Sequence, residues 1–341
     1  MTSEAPPFWW QDSDWRAFLL APFAAIYGHF SERRLLKSTA PRIDLPVMCV
    51  GNLTIGGGGK TPTVVALAKH AQSLGLTPGI LTRGYGGQEK GPHLVNNQHD
   101  SAKHIGDEPL LLSFHAPVVV ARNRHAGAKL LKRQGCNFII MDDGFQSNRL
   151  HADCNLIVVD SRRGIGNGHV IPAGPLRAPL VAQMRKIDAL LVVGKSGNAE
   201  LVVRAAARAA KPVFDAVLKW EESSAVKGKR FLAFAGIADP DKFFDTVQSS
   251  GAWLSLTRRF PDHYQYSDED MAELMHTAQA GDLTLVTTEK DAVRFLHSTA
   301  TARKMADTTM VFQIELAFDE ANTASQLIQG TIDRYRQRAA A

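Results

Sequence analysis

A run of glycines followed by lysine and threonine is the segment of this 341-residue chain with the clearest chemical meaning. It follows the apolar run Val47–Val50 and reads Thr54, Ile55, Gly56, Gly57, Gly58, Gly59, Lys60, Thr61. Consecutive glycines let backbone N–H groups point into one concavity, which suits phosphate oxygens. A lysine there can reach the β- and γ-phosphates of a nucleotide, and a threonine hydroxyl can ligate Mg²⁺. The segment therefore predicts a nucleotide phosphate site, with a flexible glycine turn as the alternative.

The segment matches the P-loop pattern GxxxxGK[ST] except at its first position, where Thr54 replaces glycine. The order of elements also fits, because an apolar strand precedes the loop and a helix is predicted over Thr63–Leu74. The N-terminal end of that helix adds a positive dipole to the phosphate site. We therefore expect the chain to bind ATP and Mg²⁺ at this loop.

Two aspartates could supply the acid that P-loop enzymes place near the metal. The apolar run Phe138–Met141 leads directly into Asp142 and Asp143. Because carboxyl ends of parallel strands share one edge of a sheet, these acids would lie beside the loop if the strands are neighbours. Strand-end aspartates that only cap a turn are the other interpretation. Asp160, after a further apolar run, is a weaker candidate of the same kind.

Three more polar segments could carry chemistry, but their spacing does not choose among them. Arg83 lies in a glycine-rich stretch after a predicted strand, Asp107 and Glu108 open an apolar helix, and His263 lies in a turn. The two acids could simply pair with the helix dipole, and a lone histidine is more often structural than catalytic. A kinase that phosphorylates a hydroxyl needs a carboxylate or histidine base, which makes Asp107 and His263 candidates.

The elements that must position these residues alternate along the chain. Apolar runs with helical stretches between them predict a parallel sheet covered on both faces. The predicted strands of this unit are Val47–Val50, Gly79–Leu81, Val118–Val120, Phe138–Met141, Leu156–Val159 and Leu190–Val193. A smaller α/β unit is predicted from about Val226. Its predicted strands and closing helix are Phe231–Ile237, Leu283–Thr287, Met310–Ile314 and Ala321–Arg338.

The N-terminal segment predicts an apolar helix over Trp15–Phe30. It is shorter than the roughly 20 apolar residues that span a bilayer, and acidic residues precede it where a signal peptide would be basic. One broad face is aromatic and aliphatic, the other is mostly alanine, and the cations Arg33, Arg34 and Lys37 follow. This pattern suits either a helix lying in a membrane interface or a helix docked on the protein's own core.

Composition limits the remaining function classes. Apolar residues make up 45% of the chain and charged residues 21%, which excludes a disordered tail and an integral membrane bundle. Three isolated cysteines fit a reducing compartment. The net charge of +5 alone suggests nucleic-acid binding, and no zinc pattern, aromatic RNA-binding signature or basic helix supports it. A P-loop GTPase or metallochaperone-type NTPase is a further rival, but Thr288–Asp291 lacks the spacing of the guanine-selecting N/T-K-x-D motif.

Taken together, the motifs resemble those of the tetraacyldisaccharide 4'-kinases, the lipid A 4'-kinases of Gram-negative bacteria. The matching segments run in the family's order from about Pro46 to Arg294: GNLTIGGGGKTP, LTRGYGG, HIGDEPLLL, ARNR, MDDGFQ, AGPLRAP, FPDHY and TTEKDAVR. The family also tolerates a residue other than glycine at the first P-loop position. The resemblance covers nearly the whole chain.

The resemblance implies a reaction, a fold and a location. The γ-phosphate of ATP would move to the 4'-hydroxyl of a tetraacylated glucosamine disaccharide 1-phosphate, giving lipid IVA. The implied architecture is an N-terminal helix in residues 1–37, a P-loop NTPase-type kinase domain in residues 38–225 and a smaller C-terminal α/β domain in residues 226–341. The helix would rest in the cytoplasmic face of the inner membrane. We expect no nucleic-acid partner and no obligate protein partner.

The resemblance also implies residue roles. Asp107 would be the catalytic base and His263 its partner, with Lys60 at the phosphates. Asp142 and Asp143 would be the acids near Mg²⁺, and Glu108 would assist the metal. Contacts to the anionic substrate or to ATP are implied for three arginines: Arg83, Arg122 and Arg177.

Overall fold

The computed structural model describes residues 5–11, 14–37, 40–56, 58–220, 228–296 and 299–340, and their strands form two sheets. The strands in chain order are β1 Val47–Gly51, β2 Pro78–Thr82, β3 His93–Leu94, β4 Val118–Val120, β5 Phe138–Asp142, β6 Cys154–Asp160, β7 Ala189–Val193, β8 Val213–Trp220, β9 Arg230–Ala235, β10 Trp253–Arg259, β11 Thr284–Thr288, β12 Thr309–Phe312 and β13 Ile314–Phe318. The helices are α1 Trp15–Leu36, α2 Lys60–Ser73, α3 Ala102–Ile105, α4 Asp107–Leu112, α5 Arg124–Arg133, α6 Leu180–Lys186, α7 Glu200–Arg208, α8 Pro240–Ser249, α9 Asp268–Ala280, α10 Glu289–Ala292, α11 Ala300–Thr308 and α12 Thr323–Ala340.

The larger sheet has the strand order β13-β8-β7-β6-β1-β5-β2-β4-β3. Its pairs are parallel except at the two edges, where β13 pairs with β8 and β3 with β4 antiparallel. Alternation along β1 explains why helices cover both faces: Val47 and Cys49 enter one core, while Met48 and Val50 enter the other. The predicted class of a P-loop-type parallel sheet with helices on both faces is confirmed.

The smaller sheet has the order β10-β9-β11-β12, and its pairs are all parallel. Helix α8 packs on one face and helices α9 and α11 on the other. The fully buried Phe231 and Phe234, on opposite sides of β9, anchor the two cores. The smaller unit is therefore a miniature α/β layer structure of its own.

The two sheets do not divide the chain at a single point. The predicted strand Met310–Ile314 is in fact two strands, because β12 ends at Phe312 in the smaller sheet and β13 begins at Ile314 in the larger one. Helix α12 then packs on the larger sheet. The chain thus leaves the larger unit after β8 and returns through β13, so that residues 314–340 pack with the larger unit. The predicted division at 225 and 226 falls in a segment outside the described residues.

Helix α1 presents mainly small residues to the protein and most of its large apolar residues to the exterior. Ala17, Ala24, Gly28 and Leu35 are buried. The exposed large apolar side chains are Trp15, Phe18, Leu19, Phe23, Ile26, Tyr27, Phe30 and Leu36. In the part of the chain that the structure describes, every helix is too short or too polar to span a bilayer.

The N-terminal region rests on residues 161–179, the loop between β6 and α6, which we term the framing segment. The indole N–H of Trp9 donates to the Pro172 carbonyl at 3.0 Å, and the Trp9 carbonyl accepts from the Asn167 N–H at 2.8 Å. Further along, a Cβ at Gly28 of α1 would lie 3.5 Å from the Pro179 ring. Both the short helical turn Pro7–Trp10 and α1 therefore support the framing segment.

Candidate active site

The glycine loop joins β1 to α2 as predicted, and α2 begins at Lys60 itself. Gly59 caps the helix with φ +89°, a left-handed conformation that glycine adopts without strain. A Cβ at Gly58 would lie 2.5 Å from Oδ2 of Asp160, so only glycine allows β6 to end this close to the loop. Thr61 is buried in the first turn of α2. Gly57 lies outside the described residues.

The other side of the loop is held by the framing segment. The Ile55 N–H donates to the Pro175 carbonyl at 2.8 Å, and the Arg177 N–H donates to the Leu53 carbonyl at 2.9 Å. Arg177 also donates through Nε to the Thr54 carbonyl at 3.0 Å. These bonds join the loop to the framing segment as a short antiparallel ribbon, which fixes the first half of the phosphate cradle.

Strand β5 brings the two predicted acids to this loop. Because β5 pairs in parallel with β1, Asp142 lies opposite Val50, just before the loop begins. The carboxylate of Asp143 lies 3.0 Å from Nζ of Lys60 and 3.0 Å from Nη1 of Arg177. Burial alone would raise the pKa of Asp143, but these two cations outweigh it and hold the pKa at about 2. Asp143 is therefore a charged group that positions both cations.

Asp142 has a different environment. Its Oδ1 atom is buried and has no hydrogen-bond partner among the described residues. The pKa of Asp142 is raised to about 6, chiefly by burial and then by the nearby negative charge of Glu108. A buried carboxylate oxygen without a partner is the kind of group that a cation would stabilise. The described residues contain no group of three or more acidic, histidine or cysteine side chains that would form a protein-only metal cage.

Asp107 and His263 meet across the two units, although they are far apart in the sequence. Nδ1 of His263 lies 2.9 Å from Oδ2 of Asp107, and the Asp107 side chain is 4% exposed. Gly106, at φ +97°, makes this possible, because a Cβ there would lie 2.6 Å from the Tyr85 carbonyl. The Tyr85 ring in turn packs beside His263, with centroids 5.6 Å apart. The loop that contains Arg83 thus supports the pair through its tyrosine.

Two cations that the sequence reasoning assigned no catalytic role complete this cluster. Arg294 donates to Asp107 at 2.6 Å, and Lys290 lies 2.6 Å from Oε1 of Glu108. Both come from the segment TTEKDAVR, which begins with the last two residues of β11 and continues beyond it. The density of charged residues near the end of a buried strand was the signal that this segment could be functional. No local pattern links the segment to residues 107 and 108, so its partners could not be predicted.

The three arginines implied as substrate contacts lie in different settings. Arg177 is engaged by the loop and by Asp143. Arg83 and Arg122 are exposed, and neither makes an ion pair with any residue that the structure describes. Arg124, which was not predicted, is instead the buried arginine that donates to the Asp142 carbonyl at 3.0 Å. Its role is to fix the end of β5.

A cavity of about 940 Å³ opens between the two units next to the glycine loop. This volume falls in the range of small-molecule pockets, about 300–1,000 Å³. The walls combine residues of the loop and α2 with charged and apolar side chains of both units: Gly59, Thr61, Lys195, Lys242, Phe243, Glu289, Lys290, Phe312 and Ile314. Lys242 of α8 also pairs with Asp160 at 2.9 Å, so both units border the phosphate end of the cavity.

Comparisons with known proteins agree with this geometry. The model of the family described as tetraacyldisaccharide-1-P 4'-kinase, LpxK, matches residues 16–332. The tetraacyldisaccharide 4'-kinases of Brucella suis and Brucella abortus are each 51% identical over 338 residues, covering 99% of both chains. An LpxK structure from Aquifex aeolicus, described as an apo form in complex with ATP, is 26% identical with a TM-score of 0.71 and covers 94% of this chain and 99% of its own. The resemblance inferred from the motifs is confirmed, and the chain belongs to the tetraacyldisaccharide-1-P 4'-kinase family.

Proposed function

We propose that the chain transfers the γ-phosphate of ATP to the 4'-hydroxyl of a tetraacylated glucosamine disaccharide 1-phosphate, a precursor of lipid A. Membership of the family gives the reaction and the ATP requirement. The observation that supports it best is the convergence of three parts at one sheet edge: the phosphate loop, a strand-end acid and an Asp–His pair. Glu108 interacts electrostatically with Lys60 and with Asp142, and it is next to Asp107 in the sequence, so it links the two sides of the site.

On the phosphate side, Lys60 is the main charged group. Its ammonium is held between Asp143 and the Asn52 side-chain oxygen, 3.5 Å away, so its direction is set before a nucleotide binds. The loop N–H groups and the N-terminal end of α2 add partial positive charge. These groups would stabilise the negative charge that develops on the transferred phosphoryl group.

A Mg²⁺ ion fits beside this loop. The oxygens that would hold it are the Thr61 hydroxyl and Oδ1 of Asp142, which has no hydrogen-bond partner in the described part of the chain. Mg²⁺ takes few protein ligands besides water and phosphate. Once bound, the ion would neutralise charge between the β- and γ-phosphates. Asp143 and Glu108 already pair with Lys60 and Lys290, so we propose that they set the charge around Asp142 instead of ligating directly.

On the acceptor side, Asp107 and His263 form the base. The sequence-based hypothesis made Asp107 the base, but both of its oxygens are engaged, Oδ1 by the Glu108 N–H at 3.0 Å and Oδ2 by His263 and Arg294. Because a carboxylate only accepts hydrogen bonds, Nδ1 of His263 carries a proton, and Nε2 of the neutral ring keeps its lone pair, 3.8 Å from a carboxylate oxygen of Asp262. We therefore propose that Nε2 accepts the hydroxyl proton while Asp107 orients the ring and stabilises the imidazolium.

The direct test of this function uses the purified full-length chain, γ-labelled ATP, Mg²⁺ and the tetraacylated disaccharide 1-phosphate. We expect label to appear in a bisphosphorylated lipid and phosphate transfer to depend on Mg²⁺. GTP in place of ATP tests the rival reading as a GTPase, which the family assignment does not favour. Preferential use of GTP, or nucleotide hydrolysis without a labelled lipid, would overturn the proposal.

The pH dependence of kcat reports on the base. The hydrogen bond to Asp107 raises the pKa of His263 above its ordinary value of about 6.5. Because the base must be neutral, we expect kcat to rise with pH through this raised pKa and then to level off. Asp107→Asn removes the charge that raises the pKa, so the rise should move to lower pH. The measurement is kcat from pH 5 to 9 at saturating substrates, with folding checked by circular dichroism. A rise at the same pH in both enzymes would contradict the assignment.

We also propose that α1 places the enzyme on the cytoplasmic face of the inner membrane as a peripheral protein. Its exposed face includes Phe18, Phe23 and Phe30, which are 85%, 63% and 65% exposed. Arg33 and Arg34 lie in its last turn, where they suit an anionic lipid surface. An acyl substrate that lies in the bilayer offers its sugar hydroxyl at the interface, so an enzyme with an apolar docking face would meet it there.

Membrane binding can be tested without removing the helix. The triple variant Phe18→Ser, Phe23→Ser, Phe30→Ser removes apolar area that makes no core contact. We expect its affinity for vesicles of phosphatidylethanolamine and phosphatidylglycerol to fall at least about tenfold, because each phenylalanine contributes on the order of 1 kcal/mol or more on burial. Co-sedimentation with the vesicles is the measurement.

A matched control removes exposed apolar residues elsewhere: Leu201→Ser, Trp253→Ser and Leu256→Ser. These side chains are 63%, 70% and 46% exposed. We expect the control to bind vesicles like the unmodified enzyme. Equal affinity of the two triple variants would show that α1 does not direct docking.

A further inference from the structure

Arg294 is a buried cation beside the Asp–His pair, and it takes no direct part in the proton transfer to His263. Its side chain is 1% exposed. Nη2 and Nε donate to Oδ2 of Asp107 at 2.6 and 3.3 Å, while Nη1 donates to the Gly236 carbonyl at 2.9 Å. Arg294 belongs to the smaller unit and Asp107 to the larger one, so the guanidinium spans the contact between them.

The orientation of this guanidinium is set from behind by Asp291. Nη1 of Arg294 lies 2.5 Å from Oδ1 of Asp291. The same oxygen accepts from the Gly236 N–H at 3.0 Å and from the Tyr266 hydroxyl at 2.9 Å. Because a planar guanidinium has a fixed fork of donors, these partners leave it little rotational freedom. Its Nη2–Nε edge is therefore directed at Asp107.

The carbonyl that Arg294 contacts also positions the histidine. The N–H of His263 donates to the Gly236 carbonyl at 3.1 Å. His263 has φ +58°, a left-handed conformation that costs free energy for a residue other than glycine and persists only where surrounding contacts enforce it. The Gly236 carbonyl is such a contact. Arg294 is thus bonded to the carboxylate of one partner and to the carbonyl that holds the backbone of the other.

We propose that Arg294 is a positioning residue for phosphoryl transfer, which fixes Asp107 and His263 relative to each other by bridging the Asp107 carboxylate and the Gly236 carbonyl. Arg294 does not contact the reacting atoms and acts through the pair. The inference rests on the proposed role of Asp107 and His263 as the base. Since its two contacts lie in different units, Arg294 also makes assembly of the base depend on the two units being together.

A purely stabilising ion pair is the alternative. Buried ion pairs are weak evidence for stability, because desolvation offsets most of their attraction. The bond from the Glu108 N–H to Oδ1 could hold the Asp107 carboxylate in place by itself. It could not set the distance from that carboxylate to a histidine on the other unit. The two roles therefore predict different effects of an Arg294 substitution on kcat in an enzyme that lacks Asp107.

A double-mutant cycle separates these roles. Arg294→Met keeps an unbranched side chain, shorter by the guanidinium group, and removes its charge and its donors. We expect it to lower kcat by roughly 30-fold, less than the loss of a general base, with the Kd of ATP within about twofold of the original. In an Asp107→Ala background, we expect Arg294→Met to cause no further loss of kcat, because the pair it positions is gone. Labelled ATP makes the low residual rates measurable.

The matched control is Arg338→Met, which breaks another ion pair to a buried aspartate, Asp153, far from the site. We expect this variant to lower the melting temperature but to leave kcat unchanged in both backgrounds. If Arg294→Met does not fold, Arg294→Lys replaces it in the same cycle, since lysine lacks the fork that reaches both acceptors.

The outcomes distinguish this inference from the function on which it rests. Equal loss of kcat from Arg294→Met in both backgrounds, or no loss in either, would overturn the positioning role of Arg294 while leaving the Asp–His base intact. Near-normal kcat in Asp107→Ala alone would overturn the base itself. A loss confined to the background that retains Asp107 supports the proposal.

Discussion

Replacing Lys60 with methionine is expected to lower kcat for lipid phosphorylation by about 10²–10³-fold, the usual cost of removing one group that stabilises transition-state charge. Lys60 is the cation at the loop whose ammonium already lies 3.0 Å from Asp143 and within reach of bound phosphates. The fold should persist, because Asp143 keeps its ion pair with Arg177. The measurement is the initial rate of labelled lipid formation at saturating ATP and lipid, together with ATP affinity.

The control for Lys60 is Lys132→Met, which makes the same substitution in an exposed ion pair with Asp44. We expect the activity of this variant to be unchanged, since exposed ion pairs contribute little. If Lys60→Met kept near-normal activity, the glycine loop would not be the phosphate site. If it lost only ATP affinity, with kcat intact, Lys60 would bind the nucleotide without acting in transfer.

Asp107→Ala is expected to lower kcat by about 10²–10⁴-fold, the range for loss of general-base catalysis, while the Kd of ATP changes by less than about twofold. The alanine leaves His263 without the carboxylate that orients its ring. It does not leave Arg294 without an anionic partner, because Asp291 remains at 2.5 Å. Steady-state kinetics and equilibrium titration with ATP measure the two quantities separately.

Asp100→Ala provides the matched control for Asp107, because Asp100 also lies close to a histidine, 2.7 Å from Nε2 of His93 in the larger unit. This contact lies away from the cavity, so we expect kcat to be unchanged. A large loss of ATP affinity in Asp107→Ala, with kcat preserved, would make Asp107 a nucleotide-binding residue. Equal losses of kcat in both variants would indicate a general effect on the fold.

Much of the fold was predictable because its central strands are buried on both faces and read as continuous apolar runs. The runs ending near Val50 and Met141 are the clearest examples, and both became neighbouring strands. The strand β8, Val213–Trp220, was missed, because its burial is partial and charged residues interrupt its apolar pattern. Its partner β13 was merged with β12, since only Gln313 separates two strands that belong to different sheets.

The parts of the site that depend on local sequence patterns could be predicted, and those that depend on contacts between distant residues could not. The loop from Thr54 to Thr61 could be recognised from spacing, and Asp142 from its place at a strand end. The pairing of Asp107 with Arg294 could not, because 187 residues separate the two positions and no local pattern links them. The family resemblance implied the partnership of Asp107 and His263 without showing that Arg294 and the Gly236 carbonyl hold it.

The support that the N-terminal region gives to the framing segment has a practical consequence. Trp9 and α1 contact the same loop whose residues Pro175 and Arg177 bond to Leu53, Thr54 and Ile55 at the start of the phosphate cradle. An enzyme shortened by removal of the N-terminal region for inhibitor screening would therefore lose part of the scaffold beneath its nucleotide loop along with the exposed apolar face of α1. Serine substitutions on the outer face of α1 would remove the exposed apolar surface and keep the buried contacts that support this scaffold.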